Sequence, residues 1–224
     1  MAKKETTRTS IDELNESLSS IEQRVENNKK SIYWVVGVII VVAAVIMGYV
    51  YGIHNPNMNE ARNEIAKADM EVALGNDSLA LVQYKSVADN FSNSAANRAN
   101  LDAAILLYED GKYEEAAAYI NNFDAEGVIV GPASQSLLGD CYVNLKKYDE
   151  ALGAYDKAIS LSNDNSLYTP LFMVKKATVY RELKNYAAEA DVFQTIKDKY
   201  PDFTQNYNFD LDKYLERAKA LAGK

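Results

Sequence analysis

Residues 146–159 read KKYDEALGAYDKAI, and the fold turns on how this stretch is read. Tyr148, Ala151, Tyr155 and Ala158 follow one another at intervals of three, four and three, which places them on one face of a helix. The same statement recurs upstream as GKYEEAAAYI from Gly111 and downstream as KNYAAEADVF from Lys184. In one frame, Ala80, Ala116, Ala151 and Glu189 fall at equivalent positions, spaced 36, 35 and 38 apart. Twelve residues before each stand Ala68, Ala104, Gly139 and Ala177. Four residues after each stand Tyr84, Ile120, Tyr155 and Phe193. Two antiparallel helices need small residues where their backbones come closest and large ones a turn away to fill the remaining holes. One hairpin cannot bury its apolar face, but stacked copies can.

The spacing therefore predicts an all-α chain of about four helix-turn-helix units. On these residues the chain resembles the tetratricopeptide repeat family, whose period is about 34 residues. Residues 137–159 carry the fullest copy, with Leu138, Gly139, Tyr142, Tyr148, Ala151, Tyr155 and Ala158 at the family's positions. The fourth copy departs at Glu189, where a small residue is expected, and the first at Asp77, where an aromatic is usual. The resemblance implies a superhelix over 58–204, with repeats near 61–94, 97–130, 132–165 and 170–203. Leu211, Tyr214, Leu215 and Ala218 form one stripe in 205–224, which suits a terminal helix that caps the last repeat.

The N-terminal quarter is different. Residues 32–53 contain no charged side chain, and 22 helical residues at about 1.5 Å each cover the roughly 30 Å hydrocarbon core of a bilayer. Tyr33 and Trp34 mark one end, Tyr49 and Tyr51 the other. The run is too long for the apolar core of a cleaved signal peptide, so it reads as a retained signal-anchor. Ala44, Gly48 and Gly52 recur every fourth residue, a stripe that permits close helix approach within the membrane. Lys29 and Lys30 abut the N-terminal end and favour a cytoplasmic N-terminus, with the repeats outside, in a periplasm if the source is Gram-negative.

Before the anchor, residues 1–31 form an arm. Ile11, Leu14, Leu18, Ile21 and Val25 make an a/d heptad seam, Asn28 and Ile32 continue it, and Ser10 with Glu13 supplies a capping box. Two readings stay open: a short coiled coil that pairs two copies, or an amphipathic helix resting on lipid or on a partner. Residues 54–57 read as a linker.

Charge and composition exclude several functions. The net charge is −8, and all of the deficit lies in 54–224, which argues against nucleic acid as a partner. A single cysteine, Cys141, and a single histidine, His54, leave little for disulfide, metal or Cys–His chemistry. Residue pairs such as Glu114–Glu115 and Asp149–Glu150 fall where second helices begin and favour the helix dipole. There is no phosphate loop, zinc-protease motif or nucleophile elbow. The sequence therefore points to no enzyme and no cofactor, but to a binding protein.

The resemblance places the binding surface on the inner face of the superhelix. Its positions map onto Ile65, Leu101, Ile105, Tyr108, Val143, Leu171 and Val174 among apolar residues. The polar members include Arg62, Asp69, Arg98, Asp140, Asn144 and Arg181. The Lys/Asn set with which some family members clamp a C-terminal carboxylate is missing. An apolar strip edged with charge suits an extended or helical segment of another protein. The layout of arm, anchor, repeats and acidic domain is similar to that of the YfgM-type ancillary subunits of the bacterial Sec translocon. That similarity implies partners among translocon subunits and periplasmic chaperones, and a chaperone-like role in envelope protein traffic. Two alternatives remain: a coiled-coil oligomeric scaffold, and a cytosol-facing repeat receptor tethered to a membrane.

Overall fold

The computed structural model describes residues 18, 19, 26, 28–125 and 127–223. Among these, Leu18 of the heptad seam is helical and exposed, whereas Ile11, Leu14, Ile21 and Val25 lie outside the described residues. The described structure is all-helical, without strands, and separates into two compact units, one ending at Asn57 and one running from Met58.

The first unit is dominated by α1 (Lys29–Tyr49), followed by a π-helical turn, Val50–His54. None of its side chains is buried, and the helix is long and apolar enough to cross a membrane. Ala44 and Gly48 lie on α1, and Gly52 lies within the π turn. Residues 54–57 are helical rather than a linker: His54 closes the π turn and Asn55 opens α2 (Asn55–Ala73).

From Met58 the second unit continues through α2 and then α3 (Asp77–Asn90), α4 (Ser94–Glu109), α5 (Tyr113–Asn122), α6 (Val130–Asn144) and α7 (Tyr148–Leu161). It ends with α8 (Thr169–Glu182), α9 (Tyr186–Lys199), α10 (Phe203–Tyr207) and α11 (Leu211–Ala222). The helices pair as α2/α3, α4/α5, α6/α7 and α8/α9, one hairpin per repeat. All eight small-residue positions, including the one held by Glu189, are buried.

The turns inside the four hairpins share one construction. The first helix of each ends with a residue in the left-handed region: Gly75 (φ 77°), Gly111 (φ 74°), Lys146 (φ 58°) and Lys184 (φ 56°). The next amide reaches back five residues, as in Lys112 N–H to Leu107 O (2.8 Å), Lys147 to Tyr142 (2.8 Å) and Asn185 to Tyr180 (2.8 Å). That bond satisfies a carbonyl the helix end leaves without a partner. Glycine adopts this conformation freely, whereas a lysine does so at a cost of roughly 1–2 kcal/mol. Lys146→Gly is therefore expected to stabilise the third repeat by about 0.5–1 kcal/mol, after glycine's greater unfolded-state entropy is subtracted. Urea unfolding followed by circular dichroism checks this, with no change counting against it.

Between hairpins, side chains start the next helix. Asn93 Oδ1 accepts from the amides of Ala95 (3.0 Å) and Ala96 (3.1 Å), and Asp210 does the same for Lys213 (3.1 Å). The closing segment is two helices rather than one: α10 stops at Asn208, which turns left-handed at φ 48°, and α11 follows. Leu211, Leu215 and Ala218 of α11 join the apolar cluster built on Phe193, Ile196 and Phe203, and cover the last hairpin.

Candidate functional site

The first helices of the four hairpins, α2, α4, α6 and α8, supply the inner face. The structure sorts its predicted members into three groups. Ile65 is only 4% exposed and belongs to the core of the first hairpins with Ala61, Ala68, Ala95 and Ala99, so it offers little to a ligand. The small side chains at 95, 99 and 103 of α4 leave room for that burial. Tyr108, Val143, Leu171 and Val174 are half-buried and packed against the hairpin cores. Leu101 and Ile105, one turn apart on α4, join none of the four core clusters found among the described residues; Ile105 is 38% exposed. Ile105 is the one exposed apolar side chain among these positions, and Leu101 is half-buried.

The polar members form a pattern that repeats every second hairpin. Tyr84 donates its hydroxyl to Asp69 (2.6 Å), and Tyr155 donates to Asp140 (2.7 Å). Each carboxylate also takes a cation from the following hairpin: Arg98 Nη2 to Asp69 (2.7 Å), and Lys175 Nζ to Asp140. Arg98 further pairs with Asp102 through Nε (3.0 Å), and Lys175 donates to Ser136 (3.1 Å). The Asp69–Arg98 and Asp140–Lys175 pairs tie neighbouring first helices together. Burial, reinforced by these carboxylates, pushes both tyrosine hydroxyls well above the ordinary range, so each stays a donor. Burial also raises the Asp102 carboxyl, against the pull of Arg98.

Arg62 is exposed and Arg181 half-buried at the two ends of the face, and Asn144, also exposed, donates to the Asp140 carbonyl (2.9 Å). A cleft of about 350 Å³ opens beside Arg62, Ala66, Asp69, Ser94 and Arg98. Cys141 is buried, and burial, with the Asp140 charge nearby, pushes its thiol up to about 12, so it is not a nucleophile at neutral pH. Among the described residues, no cluster of His, Cys, Asp and Glu is arranged to hold a metal ion.

Family models of the tetratricopeptide repeat match residues 132–165 and 172–202. Those two segments are similar to the tetratricopeptide repeat. The stacked repeats also superpose on known repeat structures. One is the crystal structure of the MamA protein, at a TM-score of 0.53 and 15% identity over 72% of this chain and 87% of that one. Another is a set of nearly identical TPR-like repeats from a kinesin light chain assigned in Podosopora anserina, at 0.55 and 12% over 73% and 87%. At such identities the likeness establishes the fold alone. No curated protein matches the chain. Tetratricopeptide repeats generally bind other proteins or peptides, and no catalytic family is indicated.

The tyrosine–aspartate–cation links between repeats were not readable from the sequence. Their only signal is a Tyr fifteen residues after an Asp, at 69/84 and 140/155. The cation comes from a helix 29 or 35 residues further on, set by the stacking rather than by spacing within one repeat.

Proposed function

We propose that the inner face of the repeats holds an apolar, extended or helical segment of another protein, and that the chain is a membrane-anchored adaptor. The observation that carries this reading is the exposed Ile105 with the half-buried Leu101 one turn before it, neither of which joins a core cluster. The half-buried Tyr108, Val143, Leu171 and Val174 widen the strip, and Arg62, Asp140, Asn144 and Arg181 edge it. The acidic residues Asp69 and Asp140 are already held by tyrosines and cations of the chain, so they shape the face more than they recruit a cationic ligand.

The finer reading is a chaperone-like factor in envelope protein traffic, beside the Sec translocon and in contact with periplasmic chaperones. The order of basic flank, apolar segment and acidic repeat domain supports it, with Lys29 and Lys30 favouring a cytoplasmic N-terminus. In this reading Ala44, Gly48 and Gly52 are where another membrane helix packs.

Charge placed on Leu101 and Ile105 tests the groove. Leu101→Asp with Ile105→Asp is expected to weaken partner capture from native membranes at least about ten-fold, roughly 1.4 kcal/mol. Both positions lie outside the core clusters, so the melting temperature should hold. Unchanged capture with an intact fold would remove the inner face from the account.

A further inference from the structure

Asp102 stands three residues before Ile105 on α4 and Leu101 four, so all three border one strip of that helix, with Arg98 a turn earlier. Asp69 and Asp140, on the same inner face, each take a tyrosine hydroxyl and a cation. Asp102 has no such set. Its Oδ2 is sealed from solvent and accepts no aligned hydrogen bond, although Arg98 Nε stands 3.0 Å away. That guanidinium is shared, because its Nη2 goes to Asp69 (2.7 Å). The Asp102 side chain is 23% exposed, so it is a carboxylate largely withdrawn from water and held by part of one arginine.

The neighbouring charges do not make up the difference. From α2 Asp102 faces Asp69, whose charge opposes its own, and from α3 the Tyr84 hydroxyl that Asp69 holds. The one charged residue of α6 is Asp140, which Tyr155 and Lys175 already hold. Burial, with Asp69 behind it, therefore keeps the Asp102 carboxyl above the ordinary range, and Arg98 offsets this only in part.

A segment laid over Leu101 and Ile105 takes the remaining water from Asp102. Losing that water disfavours the charged form further, so the carboxyl holds its proton more firmly in the complex than in the free protein. A lysine or arginine on the segment would reverse the sign by pairing with the carboxylate. It would have to approach past Arg98, whose side chain is 53% exposed, and the exposed Arg62, which lines the same cleft.

We propose that the segment held on the inner face is uncharged where it covers Asp102, and that it binds with uptake of a proton by that carboxyl. Like the groove itself, this rests on Leu101 and Ile105 being the binding surface. Binding is then weakest at neutral pH and above, where Asp102 is ionised in the free protein. It strengthens by up to about ten-fold per unit as pH falls through the interval between titration of the complex and titration of the free protein.

Photo-crosslinking in native membranes tests this, with the photoreactive residue at Ile105 and adducts with other proteins measured at about pH 7.5 and about pH 5.5. The expected yield in the otherwise wild-type chain is at least about three-fold higher at the lower pH, and in Asp102→Asn it is high at both. Asp102→Ser, neutral and smaller, should be equally indifferent to pH, and the melting temperature shows that each variant is folded. A low yield at both pH values in these folded variants, or a rise in them as large as in the wild type, overturns the proposal. So does a wild-type yield that falls at the lower pH, which marks a basic segment. Adding Leu101→Asp separates the two readings. If it abolishes the adducts while the wild-type yield is flat with pH, the groove stands and the proton uptake is overturned. Adducts that ignore Leu101→Asp, or none from Ile105, remove the groove and this inference with it.

Discussion

Arg217→Met should unfold the C-terminal end of the repeat stack, and Glu189→Ala should restore it. Glu189 sits where each other repeat has alanine, fully buried, with its Oε1 2.6 Å from Arg217 Nη2 on α11. Glu189 Oε2 and Arg217 Nε have no protein partner, so the pair is a single contact rather than a fork. Losing the arginine leaves a carboxylate in a fully buried site. Breaking a buried pair costs 3–5 kcal/mol in general, and about 3 kcal/mol here because 39% of Arg217 stays exposed. Met keeps an unbranched apolar side chain of similar length but gives up the guanidinium, whose Cζ lies 5.2 Å from the Tyr214 ring centroid, so the variant removes both the ion pair and this cation–π contact. In a repeat stack each unit leans on its neighbours, so the damage should concentrate in α9 and α11. Hydrogen exchange on the full-length protein in mild detergent reads this as lost protection in those helices, with α4 and α5 unchanged. The double variant Glu189→Ala with Arg217→Met returns to the family's small residue and should recover most of the loss. Full protection in Arg217→Met alone would contradict the account of the cap.

Gly139→Ala should damage the third repeat. A Cβ built on Gly139 falls 2.5 Å from Tyr155 Cε1 and 2.8 Å from Cδ1 and Cζ, inside any real contact distance. Tyr155 is 2% exposed and is fixed by its bond to Asp140, so its ring has nowhere to go. Overpacking of this kind costs about 1–3 kcal/mol, and displacing the hydroxyl from Asp140 adds to it. The equivalent positions in the other repeats, Ala68, Ala104 and Ala177, already carry the methyl. In the first repeat Ala68 and Tyr84 occupy the same two positions, so the requirement for glycine at 139 comes from how closely the Tyr155 ring approaches it. Gly139→Ala with Tyr155→Ile, the pair found at 104 and 120, should regain much of the stability lost by the single variant. A single variant that melts like the wild type would contradict the close packing of α6 on α7.

These two sites show what a sequence can and cannot carry. The small-residue positions recur at a fixed interval because every hairpin has the same close approach, so the four repeats were visible from Ala68 to Glu189. Glu189 was visible as a departure, but not its remedy: Arg217 lies 28 residues away on a helix outside the repeat frame. The inner face was legible only as a set of positions. Whether a residue there is open depends on how closely the next helix approaches, and the alanines of α4 bury Ile65 while Ile105 stays exposed. The bonds from Asp69 and Asp140 into later repeats follow from stacking geometry, which no single repeat encodes. The helical path through 54–57 was not legible in the sequence: Pro56 follows directly on the π turn Val50–His54, inside a helix that runs on to Ala73.

The open inner face is tested most directly by site-specific photo-crosslinking in native membranes. A photoreactive residue at Ile105 should form adducts with other proteins, and one at Ala118, exposed on the second helix of the same repeat, should not. Translocon subunits among the Ile105 adducts would support the finer reading. Equal labelling from both positions, or none from Ile105, would contradict the inner face as the binding surface.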